Sequence, residues 1–200
     1  MRDAATRGRL PRLAWGLAIL LPMLALGLYA IPGDQRAVPG RADQTAYVDN
    51  GVRAPSMREI LVAQLKRDPR DGRAWVLLAR LEFGADQFAE AAAAYAKAIA
   101  ASPKVANDPA VWCEYADALG MAQGGSLAGK PRDLVLHALT LNPAHPKALE
   151  LAGGAAFEAR EYGTAVKYWR ELLAQIPERT REHGELAVAI ARADELAQRK

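Results

Sequence analysis

Two prolines, Pro143 and Pro177, lie 34 residues apart, and each closes a segment of the same design. In both segments, apolar residues recur at helical spacing in two consecutive stretches, with small residues at fixed offsets. Proline ends a helix because its ring lacks an N–H and restricts the residue before it. The spacing therefore predicts consecutive pairs of helices that are built on one repeated plan.

The two outer repeats align position by position when each is counted from the start of its first helix, at Gly72 and at Pro146. Small residues fill positions 8 and 20 of both repeats: Ala79, Ala91, Gly153 and Ala165. Large residues fill positions 4 and 24: Trp75, Tyr95, Leu149 and Trp169. Small residues are expected where two helices cross closely, and large ones should fill the space between neighbouring pairs. This tetratricopeptide pattern predicts an all-α superhelix of helix hairpins with a concave binding surface.

The middle repeat is stretched relative to the outer two. It spans about 109–145, whereas the outer repeats span about 72–105 and 146–179. Its extra residues are the glycine-rich segment 124–131. This segment predicts a loop, followed by a second helix that begins near Pro131.

Two further helices are expected to flank the repeats. Ser56 followed by Glu59 is a capping box, which predicts a leading helix through about Lys66. A charged segment at about 178–198 carries an apolar stripe and predicts a helix that caps the last repeat. No segment shows a convincing strand period, so the domain expected over 56–200 is all-α.

The N-terminal segment has the pattern of a transmembrane helix. Residues 13–31 form a 19-residue run without a charge. As a helix, this run would reach roughly 28 Å, about the thickness of a bilayer's hydrocarbon core. The basic segment 1–12 predicts a cytoplasmic N-terminus and places the repeats across the membrane, beyond a linker at 32–55. A cleaved signal peptide is the alternative interpretation of the same run.

The basic excess of the chain belongs to this N-terminal segment. The whole chain contains 26 lysines and arginines against 23 acidic residues. Without its first four arginines and Asp3, the counts are equal at 22 of each. A neutral repeat domain lacks the positive field that nucleic-acid binding requires, so nucleic acid is not an expected partner.

No constellation of residues predicts catalysis, a metal site or a bound cofactor. Gly124 to Lys130 matches the start of a phosphate-binding loop, but Pro131 stands where a magnesium-binding hydroxyl is needed. The histidines lack metal-ligand spacing, although a haem contact by one of them stays open: His137, His145 and His183. The single cysteine, Cys113, cannot form an internal disulfide, and no C-x-x-C-H is present for haem attachment. We therefore predict a protein that is not an enzyme.

The expected binding surface is the face of each first helix that points away from the packing positions. The aromatic residues at packing positions are expected in the core: Trp75, Tyr95, Trp112, Tyr115, Tyr168 and Trp169. Ten other residues would form the surface: Arg73, Val76, Arg80, Phe83, Cys113, Asp117, Met121, Lys147, Glu150 and Phe157. This mixture of apolar side chains and charges of both signs suits an amphipathic helix or an extended peptide. A solvated face with scattered charges is the alternative interpretation.

Several segments of the chain resemble one known family. The first repeat opens with "RDPRDGRAWVLLARL", and the stretched middle repeat carries "GGSLAGKP", followed by "LNPAHPKAL" and "YWRELL". Together they resemble the periplasmic repeat domain of cytochrome c biogenesis proteins of the CcmI, CycH and NrfG type. The resemblance covers roughly residues 56–177, and it implies a periplasmic domain that is anchored in the inner membrane.

The resemblance implies a chaperone for apocytochrome c. Such a protein would bind the unfolded apocytochrome, largely through its C-terminal helix, and present it to the membrane subunits of the haem lyase. Apolar contacts would come from Val76, Phe83 and Phe157, and cations for client carboxylates from Arg73, Arg80 and Lys147. The alternative function is a general repeat scaffold for assembly of an envelope or secretion complex. The client stays open, as does the choice between general maturation and a branch dedicated to nitrite reductase.

Overall fold

The computed structural model describes residues 53–199, and every regular element among them is a helix. The helices of this region are α1 (Met57–Arg67), α2 (Gly72–Gly84), α3 (Phe88–Ala101), α4 (Pro103–Ala106), α5 (Pro109–Ala122), α6 (Lys130–Leu141), α7 (Pro146–Glu158), α8 (Tyr162–Leu173) and α9 (Arg181–Gln198). The expected basic segment 1–12, the transmembrane helix at 13–31 and nearly all of the linker at 32–55 lie outside the described residues. No helix within 53–199 is long and apolar enough to cross a bilayer.

Side-chain caps start several helices, and the capping box of Ser56 and Glu59 is the one that the sequence predicts. The Ser56 hydroxyl oxygen accepts a hydrogen bond from the Glu59 N–H at 3.3 Å, and the Glu59 carboxylate accepts one from the Ser56 N–H at 2.7 Å. This reciprocal pair satisfies two N–H groups that the first turn of α1 cannot satisfy itself. Asp71 caps α2 and Asp108 caps α5, each through a carboxylate oxygen that accepts a backbone N–H.

Three helix hairpins, α2–α3, α5–α6 and α7–α8, stack in chain order. Neighbouring hairpins meet through α3 against α5 and through α6 against α7, while α1 covers the first hairpin and α9 covers the last. Small residues lie where the helices cross, and four alanines at positions 8 and 20 are 0% exposed: Ala79, Ala91, Ala116 and Ala165. The predicted helical-hairpin array is confirmed in this part of the chain.

Gly153 shows most directly why position 8 must be small. A Cβ atom added to Gly153 would lie 2.1 Å from Nε1 and 2.3 Å from Cδ1 of Trp169. Atoms that are not bonded to each other cannot approach so closely in a packed interior. Glycine is therefore required for α7 to lie against the indole that α8 presents.

The aromatic residues at packing positions are buried, or half-buried against the core, as the sequence predicts: Trp75, Tyr95, Trp112, Tyr115, Tyr168 and Trp169. Two of the indoles are also held by equivalent hydrogen bonds. Trp75 donates its ring N–H to the carbonyl of Pro69 at 2.9 Å, and Trp112 donates its own to the carbonyl of Ala106 at 2.7 Å. A half-buried tryptophan needs such an acceptor, so these rings are fixed as packing elements rather than as a ligand cage.

Two helices differ from the sequence-based expectation. The short helix α4 was not expected between the first two repeats, and Val105, which is 7% exposed, holds it against the core. The helix α9 begins at Arg181 rather than near 178. Its start is set by the Thr180 hydroxyl oxygen, which accepts the His183 N–H at 3.2 Å.

Candidate functional site

The ten predicted binding residues lie on the first helices of the three hairpins, α2, α5 and α7. Four of them are exposed: Arg73, Arg80, Met121 and Glu150. Four are half-buried: Phe83, Asp117, Lys147 and Phe157. Two are buried: Val76 and Cys113. The surface therefore has fewer exposed side chains than the sequence pattern suggests.

Arg80 already has a carboxylate partner within the domain. Its Nε and Nη2 atoms donate to the two carboxylate oxygens of Glu114 on α5, at 2.9 and 2.7 Å. Hydrogen bonding to Glu114 raises the pKa of Arg80, and burial followed by the charge of Glu114 raises the pKa of Tyr95. This bidentate pair joins the first two hairpins across the predicted surface. Arg80, which was expected to pair with client carboxylates, is therefore already paired with a carboxylate of the domain itself.

Lys147 on α7 lies between two carboxylates. Its Nζ atom is 3.5 Å from an oxygen of Asp117 on α5 and 3.4 Å from an oxygen of Glu150 on α7. Burial opposes the charge of Lys147, but attraction to Asp117 and then to Glu150 raises its pKa. Burial is the main cause that raises the pKa of Asp117, and the positive charge of Lys147 opposes it. These three residues join the second and third hairpins.

Four of the ten residues contribute mainly to packing. Val76, which was expected to supply apolar contact to a client, is 8% exposed and belongs to the core. Phe83 packs edge-to-face on Phe88 with ring centroids 5.2 Å apart, and Phe157 packs in the same way on Tyr162 at 5.3 Å. Cys113 is 1% exposed. Cys113 is therefore corrected from a surface residue to a core residue. The two phenylalanines, which were expected to offer apolar contact to a client, are half-buried. In each hairpin a neighbouring aromatic ring covers part of the phenylalanine ring.

A cavity of about 340 Å³, here called the first cavity, opens between α2, α4 and the start of α5. Its lining residues are Arg73, Val76, Leu77, Arg80, Ser102, Lys104, Val105, Asp108 and Val111. The floor is apolar, because three valines of this set are buried. Arg73 and Lys104 at its edge are exposed and form no ion pair with any residue of 53–199. The first cavity thus combines an apolar floor with two cations that form no ion pair within the described part of the chain.

A second cavity, of about 590 Å³, opens between α7, α8 and α9. Its lining residues are Pro146, Lys147, Glu150, Leu172, Ile176, Glu182, Glu185 and Leu186. Lys147 and Glu150 belong to the predicted surface, and Arg80 and Arg73 of that surface line the first cavity. The predicted surface therefore connects the two cavities along the first helices.

The glycine-rich insertion of the middle hairpin covers part of this surface. Three of its glycines have positive φ values of 82°, 90° and 72°, which residues with side chains rarely adopt: Gly124, Gly125 and Gly129. Its leucine, Leu127, lies between Gly120 of α5 and Gly154 of α7. Added Cβ atoms there would come within 3.2 and 3.6 Å of the Leu127 side chain. The two helix glycines make room for this leucine.

Glu158 at the end of α7 holds the insertion in place. Its carboxylate accepts a hydrogen bond from the Leu127 N–H at 2.8 Å and another from the Ser126 hydroxyl. These bonds, that of Ser126 first, lower the pKa of Glu158. The sequence pattern identifies this segment only as a connecting loop. Gly120 and Gly154, which leave room for Leu127, are the sequence signal that could have revealed the contact between the loop and the surface.

The histidines of the middle of the domain have structural roles. Nδ1 of His145 accepts the Ala148 N–H at 3.3 Å and caps α7. The ring of His137 packs on Trp112 with centroids 4.2 Å apart. Within residues 53–199, no group of three histidine, cysteine or acidic side chains is arranged to hold a metal ion.

The buried thiol of Cys113 is expected to be unreactive. Burial is the main reason that its pKa is raised to about 12. Because the thiolate is the reactive form, iodoacetamide at about pH 8 should alkylate Cys113 at least ~100-fold more slowly in the folded protein than in the denatured chain. Mass spectrometry of timed samples, with and without denaturant, measures both rates. Equal rates would show that the thiol is accessible.

Stacked helix hairpins with a charged surface along their first helices define a tetratricopeptide repeat (TPR) domain. The crystal structure of MamA aligns with a TM-score of 0.55 and 15% identity, over 72% of this chain and 87% of that one. The first TPR of Spaghetti (RPAP3), bound to the HSP90 peptide SRMEEVD, aligns with a TM-score of 0.52 and 17% identity, over 64% of this chain and 96% of that one. At these identities the similarity shows the fold alone.

Residues 57–183 match the family described as the cytochrome c-type biogenesis protein H TPR domain, and the chain belongs to this family. The cytochrome c-type biogenesis protein CycH of Pseudomonas aeruginosa is 29% identical over 182 residues, which are 89% of this chain and 42% of that protein. CycH of Bradyrhizobium diazoefficiens is 29% identical over 160 residues, 78% of this chain and 42% of that protein. The chain thus spans less than half the length of these relatives. The family resemblance drawn from the sequence is confirmed.

Proposed function

We propose that this protein is a membrane-anchored periplasmic adaptor of cytochrome c maturation. It binds apocytochrome c and presents it to the membrane subunits of the haem lyase. The observation that carries the proposal is the family match over residues 57–183, which contains the whole candidate surface. In this function the protein makes no covalent bond, and haem attachment belongs to the lyase.

The composition of the surface supports the binding of a peptide segment. Leu77, which is 53% exposed, and Met121, which is 46% exposed, offer apolar contact beside charged side chains. An amphipathic helix buries its apolar stripe on such a surface and places its charges at the edges. Arg73 and Lys104 are available to client carboxylates because neither is paired within the described domain.

The sequence supports the proposed location. The uncharged run 13–31 would anchor the chain in the inner membrane, with the basic segment 1–12 in the cytoplasm. The linker 32–55 would hold the domain 56–200 away from the bilayer on the periplasmic side. A cleaved signal peptide would deliver the domain to the same compartment.

Titration of the full chain in mild detergent with the C-terminal peptide of a c-type apocytochrome tests this function. We expect saturable binding in the micromolar range, and Arg73→Ala should weaken it about tenfold because a charge-assisted contact is lost. The thermal midpoint should not change, since Arg73 forms no ion pair within 53–199. Lys66→Ala is a matched control, because Lys66 is an exposed cation that lines neither the first nor the second cavity.

No binding by the folded protein at tens of micromolar peptide would contradict the proposal. It would favour the alternative of a repeat scaffold for an envelope or secretion complex. Weaker binding together with a lower thermal midpoint in Arg73→Ala would assign Arg73 to domain stability instead.

A further inference from the structure

The two cavities carry opposite charge. The first contains three cations and one carboxylate: Arg73, Arg80, Lys104 and Asp108. The second contains three carboxylates and one cation: Glu150, Glu182, Glu185 and Lys147. Since the first cavity adjoins α2 and the second adjoins α9, the surface is positive at one end and negative at the other.

Neighbouring groups already balance part of the charge in the first cavity. Arg80 is paired with Glu114. The Asp108 carboxylate accepts the N–H of Ala110 at the start of α5 but keeps its negative charge, so two cations remain against one carboxylate. Arg73 and Lys104 form no ion pair within residues 53–199. The uncompensated charge of this cavity is therefore positive.

The second cavity has the reverse balance. Lys147 is shared by Asp117 and Glu150, so two carboxylates depend on one cation. Arg181 pairs with Glu185 at 2.6 Å, whereas Glu182 forms no ion pair within the described part of the chain. The uncompensated charge here is negative.

Both cavities also offer apolar surface, so a single amphipathic segment can contact both. Apolar side chains of the first cavity are Val76, Leu77, Val105 and Val111, and those of the second are Leu172, Ile176 and Leu186. The first cavity lies between α2 and α5 and the second between α7 and α9, so two helix-to-helix steps separate the cavities, a distance on the order of 20 Å. About 13 residues of α-helix cover that length.

We propose that the surface binds a helical guest in one direction only. The acidic C-terminal end of the guest lies at Arg73 and Lys104, and its basic N-terminal end lies at Glu182. This inference rests on the proposed function, since it specifies how a client helix occupies the same surface. The guest it selects is an amphipathic helix with cations in its first turn and carboxylates in its last turn.

The helix dipole of the guest favours the same direction. A helix carries partial positive charge at its N-terminus and partial negative charge at its C-terminus. In the proposed direction, the N-terminus meets the carboxylate end of the surface and the C-terminus meets the cationic end. Charge complementarity of this kind mainly determines orientation and selectivity, while the apolar contacts supply affinity.

Two synthetic peptides of identical composition test the direction on the full chain in mild detergent. Both are about 16 residues long, capped at both termini, and share one apolar stripe. The forward peptide has lysines in its first turn and glutamates in its last, and the reverse peptide exchanges them. We expect the forward peptide to bind about tenfold more tightly at low salt, with the difference shrinking at high salt.

Peptide helicity cannot produce this order of affinity. Lysines at the N-terminus and glutamates at the C-terminus oppose the dipole of the free peptide, so the forward peptide is the weaker helix in solution. Tighter binding of the forward peptide must therefore come from the protein. Equal affinities, or tighter binding of the reverse peptide, would overturn the proposal.

Charge-reversal variants connect the preference to the first cavity. The double variant Arg73→Glu with Lys104→Glu should abolish or reverse the preference. Lys66→Glu with Arg179→Glu makes the same change in net charge at exposed residues that line neither cavity, and it should retain the preference. Loss of the preference in both variants would mean that net charge, rather than the cavity, decides it, and would overturn the proposal.

A nitroxide at the C-terminus of the forward peptide reports the direction itself. It should broaden the NMR signals of Leu77 in the first cavity and spare those of Leu186 in the second. The opposite pattern would overturn the proposal.

If the forward peptide binds in this direction but an apocytochrome peptide does not bind, the proposed function fails and the direction stands. If the apocytochrome peptide binds without any dependence on direction, only this inference fails.

Discussion

Replacing Gly153 by alanine is expected to lower the free energy of unfolding by about 2–3 kcal/mol, because it overpacks the crossing of α7 and α8. The new methyl group would lie 2.1 Å from Nε1 of Trp169. The indole would have to leave its contact with Phe157, where the ring centroids are 5.7 Å apart. Chemical denaturation followed by circular dichroism measures the loss.

The same substitution at Gly184 is the matched control. Gly184 lies inside α9, and an added Cβ atom would meet nothing within 4 Å. Alanine is the better helix former by about 1 kcal/mol, so Gly184→Ala should stabilise the protein by up to that amount. A stabilising effect of Gly153→Ala would show that the indole relaxes without cost and would contradict the packing described for position 8.

Replacing Tyr95 by alanine is expected to destabilise the domain by about 3–5 kcal/mol, the usual cost of removing a large buried aromatic side chain. Tyr95 is 2% exposed and is among the largest fully buried side chains of the described region. It belongs to the cluster that joins α2 and α3 to α5. The loss should therefore weaken the contact between the first two hairpins, and hydrogen exchange of the amides in α2 and α3 should increase.

Tyr95→Phe separates the ring from the hydroxyl. The hydroxyl interacts with both Glu114 and Arg80, whereas the ring fills the core. Removing the hydroxyl alone should cost only about 1 kcal/mol, the net worth of a typical hydrogen bond. A phenylalanine variant as unstable as the alanine variant would assign the stability to the polar contact and contradict the packing argument.

The helices and their pairing could be predicted from the sequence because their determinants are local. Ser56 and Glu59 cap a helix within a single turn, and proline or a capping aspartate marks other helix ends. The alanines at positions 8 and 20 indicate close helix crossings because a larger residue would not fit there. The short helix α4 was missed because its four residues give too little periodicity to recognise.

The candidate site could be predicted only in outline. The helical period assigned the predicted surface to the first helices of the hairpins, which are α2, α5 and α7, and Arg73 and Glu150 are exposed there. The period could not show that Cys113 is buried at 1% exposure, because burial there depends on how neighbouring hairpins pack. Lys104 was missed because it follows the second helix of the first repeat, on the unexpected helix α4.

The sequence by itself determined the repeat, the caps and the family, because these depend on residue types at short, fixed spacings. Only the tertiary structure decided which charges are paired. Arg80 meets Glu114 across 34 residues of chain, and Glu158 meets Leu127 across 31. It also placed Arg73 and Glu182 in cavities at opposite ends of the surface. Ion pairing and cavity charge depend on distances of a few ångströms between different helices, and those distances exist only after the hairpins have stacked.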